Sequence, residues 1–308
     1  MPYLVKECPA CEAGRLEFRE AIIAPFVAAR VFGSRSKRCR LARCGTCCLV
    51  FYEQRYDDNE VERLYAGYRS DDYYQTRHRY EPWYTKTLNS RLGAAEDITI
   101  RRKAYHSTLS EFGVETEPET VLDYGGDRGQ LMCGGPGRQH FVFDISGVEP
   151  EPGVVRIAGA TALQSRRFDL VLLCEVLEHV SQPLLYLRNI TNHVQPNGLL
   201  YVTVPNREFR FEDIPSGAWY RTWLRLLLSN QMLTIAADFW STTIRKYFKR
   251  VPPLGFVKMH EHINVFDFQS LTSLLSRAGY TVLTCKTYMN GVGLLALCRR
   301  NSESATNG

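Results

Sequence analysis

The sequence predicts an α/β chain, a doubly wound sheet of mainly parallel strands preceded by a small cysteine-bearing module. Three observations predict it. Between residues 119 and 206, short apolar runs alternate with turns and amphipathic stretches, the pattern of strands connected through helices. At 121–132, "VLDYGGDRGQLM", an apolar run ends in an acid and passes at once into a glycine-dense turn. Two C-x-x-C pairs lie within the first 51 residues.

Residues 1–51, cysteine-rich and basic, form the predicted zinc-ribbon-like module. Residues 52–118, dense in Tyr, Arg and Asp with patches of helical spacing, form a helical connecting segment. In 119–300, strands are predicted at "TVLDY", "HFVFDI", "GVVRI", "FDLVLLC" and "GLLYVTV". Each is short and apolar on both faces, as buried parallel strands are. Pro183 suits a first helical turn, and Leu184, Leu187, Ile190 and Val194 make one apolar face. Pro196-Asn197-Gly198 is expected to stop that helix. Asp267 can cap a second helix, with Leu271, Leu274, Leu275 and Ala278 on one face and Gly279 closing it. "YTVLTC" and "VGLLALC" follow as two strands joined at Asn290-Gly291. Residues 207–258 read as an insertion covering the substrate, and 301–308 as a disordered tail.

A chain of 308 residues can bury a substantial core in one large domain or two. With 44% apolar and 23% charged residues, and no apolar run long enough for a bilayer, it reads as a folded, non-spanning protein. The start, "MPYLVKECPACEAG", lacks the basic and apolar stretches of a signal peptide. A cytoplasmic location with reduced thiols is therefore expected. A net charge of +5 is too small to imply nucleic-acid binding by itself. Its placement says more: nine Lys/Arg stand against four Asp/Glu in the first fifty residues, and "RKYFKRVPPLGFVK" at 245–258 contains no acid. Either these are solvated faces or they attract an anionic substrate.

Cys8, Cys11, Cys44 and Cys47 can offer four thiolates to a tetrahedral Zn²⁺, a closed site whose role is structural or in docking. About fifty residues cannot build much of a core, so the metal is expected to supply the folding energy. Free thiols or a redox pair are the alternative, and Cys39 and Cys48 are available as substitutes.

Asp123 ends the first strand, and Gly125, Gly126 and Gly129 follow. Glycines permit a tight turn and let a ligand approach the backbone N–H groups. The spacing is not G-x-G-x-x-G, which counts against a dinucleotide. The next strand leads to Asp144, placed to receive ribose hydroxyls. An adenosine-bearing ligand without pyrophosphate fits best, and S-adenosylmethionine is such a ligand.

"VLDYGGDRG", "FVFDIS", "FDLVLLCEVLEHV", "QPNGLLYVTVPN" and "FQSLTSLLSRAGYTVL", in that order, resemble the successive motifs of class I S-adenosylmethionine-dependent methyltransferases. The resemblance spans roughly residues 119–300. It implies a Rossmann-like sheet of seven strands, the last antiparallel, and a cofactor pocket lined by Asp123, Gly125, Gly126, Gly129, Asp144 and Glu175. Thr161 corresponds to the adenine-side loop, where the family often has an acid. Asp127 stands where the generic turn has its middle glycine and must accept that backbone geometry, from where it can touch the cofactor's amino group. Only ten residues separate Gly129 from the second strand, so the first helix should be very short. "CPAC…RCGTCCLVF" resembles the zinc-binding segment of bacterial sugar-modifying methyltransferases.

Methylating a hydroxyl or an acidic carbon calls for a general base as well as alignment. The candidates are His179 in "CEVLEHV", and His260 and His262 in "MHEHINVF". The latter resembles the His-Glu-His of deoxysugar C-methyltransferases, although this chain stops soon after its last strands. Each histidine can instead pack or cap. Residues 219–250 mix Trp, Leu and Arg/Lys, so they either pack on the sheet or rest on a membrane surface. The expected function is methyl transfer to a sugar or sugar nucleotide, a small-molecule or glycan substrate. The rivals are a tRNA or rRNA methyltransferase and a non-catalytic scaffold with a degenerate pocket.

Overall fold

Val121 and Leu122, both fully buried, lie on a central strand of a seven-stranded sheet. Its strands are β1 (Thr120–Tyr124), β2 (Gln139–Phe143), β3 (Val154–Arg156), β4 (Phe168–Cys174), β5 (Val194–Pro205), β6 (Tyr280–Tyr288) and β7 (Gly293–Arg300). They lie in the order β6-β7-β5-β4-β1-β2-β3. Strands β1 to β5 pair in parallel, and β7 runs antiparallel to both β5 and β6. The order reverses between β1 and β4, which opens a crevice at the carboxyl ends of these strands. The computed structural model describes residues 3–68, 70–91, 95–114, 118–132, 137–145 and 148–301. Beyond Asn301, the expected tail lies outside them.

Among the described residues, four helices serve this sheet: α1 (Ala95–Glu111), α2 (Ala160–Gln164), α3 (Pro183–Thr191) and α4 (Phe268–Arg277). Tyr105 and Leu109 of α1 join Leu170, Leu172, Tyr201 and Leu297 of the sheet in one apolar cluster. Helices α3 and α4 pack on each other and bury their predicted leucine faces. Each such leucine contributes roughly 1.5–3 kcal/mol by leaving water. The Asp267 carboxylate accepts from the Ser270 N–H at 2.9 Å, so α4 begins where its cap predicts.

One expectation fails here. Helix α3 already ends at Thr191, and Pro196-Asn197-Gly198 falls inside β5. The register of β5 on β4 slips between Val194 and Leu199. Asn197 takes a left-handed φ of 63°, and a Cβ on Gly198 would lie 2.9 Å from the Gln195 carbonyl oxygen. The tripeptide makes a β-bulge instead of a helix stop. After Gly129, residues up to 132 form turns, and 133–136 lie outside the described residues.

The chain divides into two compact units, residues 1–92 with 207–265, and residues 93–206 with 266–308. This differs from the expected succession of segments. The first unit holds a five-stranded sheet in which Leu16–Ile23, Arg38–Cys44 and Val50–Tyr52 are neighbouring antiparallel strands. Lys258–Met259 and Asn264–Val265 are its two edges, so the supposed insertion supplies part of the N-terminal sheet. Phe26, Val27, Tyr52, Tyr73, Leu224 and Phe256 share one core. The first fifty residues therefore do not fold on a metal alone, because 207–265 completes their core. Sequence order hides this, since the partners lie some two hundred positions apart.

Six ionisable side chains meet in one cluster inside this unit. Glu81, fully buried, accepts from Arg77 Nε at 2.9 Å, Lys258 Nζ at 2.8 Å and His260 Nε2 at 2.9 Å. Lys258 also donates to Asp238 at 2.6 Å, and Arg77 Nη2 to Glu261 at 3.1 Å. Burial opposes the charge of His260, but Glu81 and then Glu261 outweigh it and raise its pKa. His260 Nε2 lies 2.9 Å from Glu81 and 3.2 Å from Arg77 Nη2, and its Nδ1 lies 3.5 Å from Glu261. Arg77, Lys258 and His260 thus face Glu81, Asp238 and Glu261. Burial would likewise raise Glu81 and Glu261, yet the neighbouring cations hold both below the usual carboxylate range.

Removing one partner strands buried charge, at a cost of about 3–5 kcal/mol. Glu81→Gln is expected to lower unfolding stability by that amount in denaturant titrations. The pH dependence follows from the directions. The two acids stabilise the fold above the ordinary carboxylate value of 4.5 and lose that contribution as pH falls through their depressed values. His260 contributes fully below its ordinary 6.5 and loses its share as pH rises through its raised value. Stability measured across pH should therefore plateau between these limits, and Glu81→Gln should flatten the acid limb.

Candidate functional site

The carboxyl ends of β1, β2 and β4 bring the predicted cofactor residues together. Asp123 pairs in register with Val142 on one side and Leu172 on the other, so Asp144 and Glu175 lie just beyond neighbouring strand ends. The Gly125 N–H donates to the Phe143 carbonyl at 2.8 Å, tying the turn to β2. Gly125 has φ of +78°, and a Cβ on it would stand 2.8 Å from Val176 Cγ2. On Gly126 a Cβ would lie 1.9 Å from the Asp123 carboxyl carbon. The acid occupies the space that any side chain there would need, which is why this position is glycine.

Asp127 adopts φ of 55°, the left-handed geometry its place in the turn demands. Asparagine and aspartate tolerate this region better than most residues. Its N–H donates to Asp144 Oδ2 at 3.0 Å. A carboxylate has about four acceptor positions, so this bond leaves Asp144 capacity for a hydroxyl. Asp123 is 1% exposed, and its Oδ1 has no hydrogen-bond partner among the described residues. Burial, then Asp144 and Asp127, push its carboxyl up to about 7, against the pull of Arg101. Three acids thus converge on one turn, and a buried oxygen among them lacks a donor. This arrangement suits a ligand that brings a cation.

Glu175 also has a left-handed φ, 57°. Thr203 Oγ1 and the Tyr288 hydroxyl donate to its Oε1 at 3.0 and 3.2 Å, which fixes the carboxylate at the strand ends. Arg101 of α1 acts electrostatically on Asp123, Glu175 and Tyr288, and it is the cation that sequence reasoning missed. The only signal available was an arginine on a helix directly before the first strand. Thr161 lies on the exposed side of α2, apart from the hydrogen bonds that join the other predicted residues.

His179 follows β4 in a turn, its N–H donating to the Val176 carbonyl at 3.0 Å and its Nε2 3.7 Å from Glu178. Glu178 is buried, and burial followed by the Glu175 charge holds its carboxyl well above the usual range. His260 and His262 belong to the first unit. His260 sits between Glu81, Glu261 and Arg77; burial opposes its charge, but Glu81 and then Glu261 outweigh burial and raise its pKa. His262 lies two residues on, half-buried.

The four predicted cysteines are all buried and meet, every sulfur within 4.8 Å of the others. Cys8–Cys47 and Cys11–Cys44 sulfurs are each 3.5 Å apart. A tetrahedral site with Zn–S bonds of about 2.3 Å places sulfurs about 3.8 Å apart, so the donor set fits that ion. The two turns match: Glu12 and Cys48, each following the second cysteine of its pair, have φ of 61° and 63°. Thr46 and Cys47 N–H groups point at Cys44 Sγ, at 3.3 and 3.5 Å. Cys39 and Cys48 are not in the cluster.

Residues 98–284 match the family described as methyltransferase domain. The chain is 34% identical over 135 residues to a ubiquinone biosynthesis O-methyltransferase of Azorhizobium caulinodans, covering 38% of this chain and 51% of that protein. It is 29% identical over 93 residues to the Parvibaculum lavamentivorans protein of the same name, covering 26% and 36%. The matched part thus spans about half or less of these curated relatives. Among solved structures, 1,6-didemethyltoxoflavin-N1-methyltransferase of Burkholderia thailandensis, with S-adenosylhomocysteine bound, is 15% identical with a TM-score of 0.43, covering 85% of this chain and 96% of that one. The family match takes in the glycine turn, the strand ends that carry Asp144 and Glu175, and more than half of the sequence: the chain belongs to the methyltransferase-domain family.

Proposed function

We propose that this chain is an S-adenosylmethionine-dependent methyltransferase acting on a small-molecule acceptor. The buried, unpartnered oxygen of Asp123 beside Asp144 and Asp127 carries the reading, because the cofactor offers an ammonium at one end and ribose hydroxyls further along. Asp123 and Asp127 would take the ammonium, Asp144 a ribose hydroxyl, Arg101 the carboxylate, and Thr161 would border the adenine. Glu175, held by Thr203 and Tyr288, would shape the floor between them. When bound, the cofactor supplies a methyl group already activated on sulfur. The chain's task is then to align the acceptor and remove its proton, and His179 is the predicted base that shares a unit with Asp123. Asp127, the feature that favoured a degenerate scaffold, is accommodated in the turn.

The cysteine segment's resemblance supports a sugar or nucleotide-linked sugar, while the names of the curated relatives support oxygen as the acceptor atom and a ubiquinone-biosynthesis intermediate as a second class. The cysteine cluster we read as a structural Zn²⁺ site, closed to catalysis because all four positions are filled by protein.

Methyl-labelled S-adenosylmethionine incubated with nucleotide sugars, ubiquinone-pathway hydroxyls and tRNA should transfer label to one of the first two classes. Asp144→Ala should lower kcat/KM roughly tenfold to a hundredfold, the worth of a hydrogen bond to a charged group at about 1.5–3 kcal/mol. Label on tRNA alone would contradict the small-molecule reading. Elemental analysis should find a single zinc per chain. Its removal by a chelator should speed hydrogen exchange around Cys8–Glu12 and Cys44–Cys48 while the seven-stranded sheet stays protected. Unchanged exchange after complete metal removal would refute a structural role.

A further inference from the structure

The helix Gln231–Phe248 is apolar on the wrong side. Its inner side buries Thr234, Asp238 and Ser241. Its outer side should be polar, yet Met232, Leu233, Phe239, Trp240 and Tyr247 project outward, with Met232 73% and Tyr247 74% exposed. With Ala236 and Thr243 these residues recur at i, i+3/4 and i+7, so they form one continuous stripe about four turns long. Phe248 extends it at the C-terminal end, 69% exposed. On the preceding helix, Ala218–Ser229, Trp219 and Leu226 repeat the pattern one heptad apart, both more than half exposed. Contiguous exposed apolar surface of this kind marks an interaction site.

The charges around it select the partner. From residue 214 to 257 the one acid is Asp238, which is buried against Lys258. Arg221, Arg225, Lys246, Lys249 and Arg250 are all exposed. A second copy of this chain docking through the same patch by a two-fold axis would bring these cations face to face. An anionic lipid surface complements them and receives the apolar stripe, with Trp and Tyr at the depth of the headgroups. No helix among the described residues is long and apolar enough to cross a membrane, so contact would be with the surface.

We propose that the outer face of Gln231–Phe248, with Trp219 and Leu226, is a peripheral docking surface for anionic membranes. Tyr247 and Phe248 extend the apolar stripe to the C-terminal end, next to Lys246, Lys249 and Arg250, so that end combines the stripe with the basic cluster. The surface does not depend on the methyl-transfer reading.

Flotation of the full chain with vesicles tests it, comparing phosphatidylcholine alone with a mixture containing one-quarter phosphatidylglycerol. The mixed vesicles should carry the protein, with a blue shift of tryptophan emission, and about 0.5 M salt should weaken binding by screening the cations. Phe239→Ser with Trp240→Ser, and separately Lys246→Glu with Lys249→Glu, should each weaken binding at least tenfold while far-UV circular dichroism stays unchanged. The charge variant leaves the core untouched, so it decides the matter if the serine variant misfolds. Protein that stays with the buffer, or binding that neither variant changes, would overturn the proposal. So would a stable dimer in sedimentation that the serine variant dissociates, since the patch would then be a self-interface.

Discussion

The contact between the Asp123 carboxyl and the bare α-carbon of Gly126 is the constraint on which the second unit's chemistry depends. A buried acid at the end of a central strand is costly, and it is tolerated because the turn folds back over it with no side chain in the way. The same contact sets the path of the turn. It brings the Asp127 N–H to Asp144 and the Gly125 N–H to β2, so the ends of β1 and β2 are locked together. The cost remains visible as a carboxyl pushed up to about 7. Three acids gathered on one turn, with a buried oxygen of Asp123 lacking a donor among the described residues, suit a ligand that carries positive charge.

The first unit meets a similar problem with the opposite solution. Arg77, Lys258 and His260 are paired with Glu81, Asp238 and Glu261, and together they fasten the helix Asp71–Tyr80 and Glu81 after it, the helix Gln231–Phe248 and the 258–261 segment around one point. That closure ties His260 to Glu81, Arg77 and Glu261. The cysteine cluster fastens the other end of the same sheet, where two matching turns hold four sulfurs at the spacing of a tetrahedral ion.

Strands such as β1 and β4 were legible to the residue, because they are apolar on both faces and bounded by acids, glycines or turns. The four cysteines and the acids at strand ends were legible for the same reason: their chemistry is local, written in spacing. What escaped was non-local. No periodicity signals that Lys258–Met259 pairs with Ile22 and Ile23, or that Glu81 meets His260. Arg101 looks like any helical arginine until the helix is packed. Pro196-Asn197-Gly198 carries a turn signal that a helix end and a bulge share, and only the strand pairing on either side distinguishes them.

Calorimetric titration with S-adenosylmethionine between pH 5.5 and 7, in buffers of different ionisation heat, tests the central claim most directly. The α-amino group stays charged over this range, since it titrates near pH 7.7–8.0. A cation meeting Asp123 favours its carboxylate, so binding should release a proton and tighten as pH rises toward 7, by at most about tenfold per unit. Asp123→Asn should remove that pH dependence along with most of the affinity. Absence of binding by the folded protein, or binding indifferent to both pH and Asp123, would contradict the account.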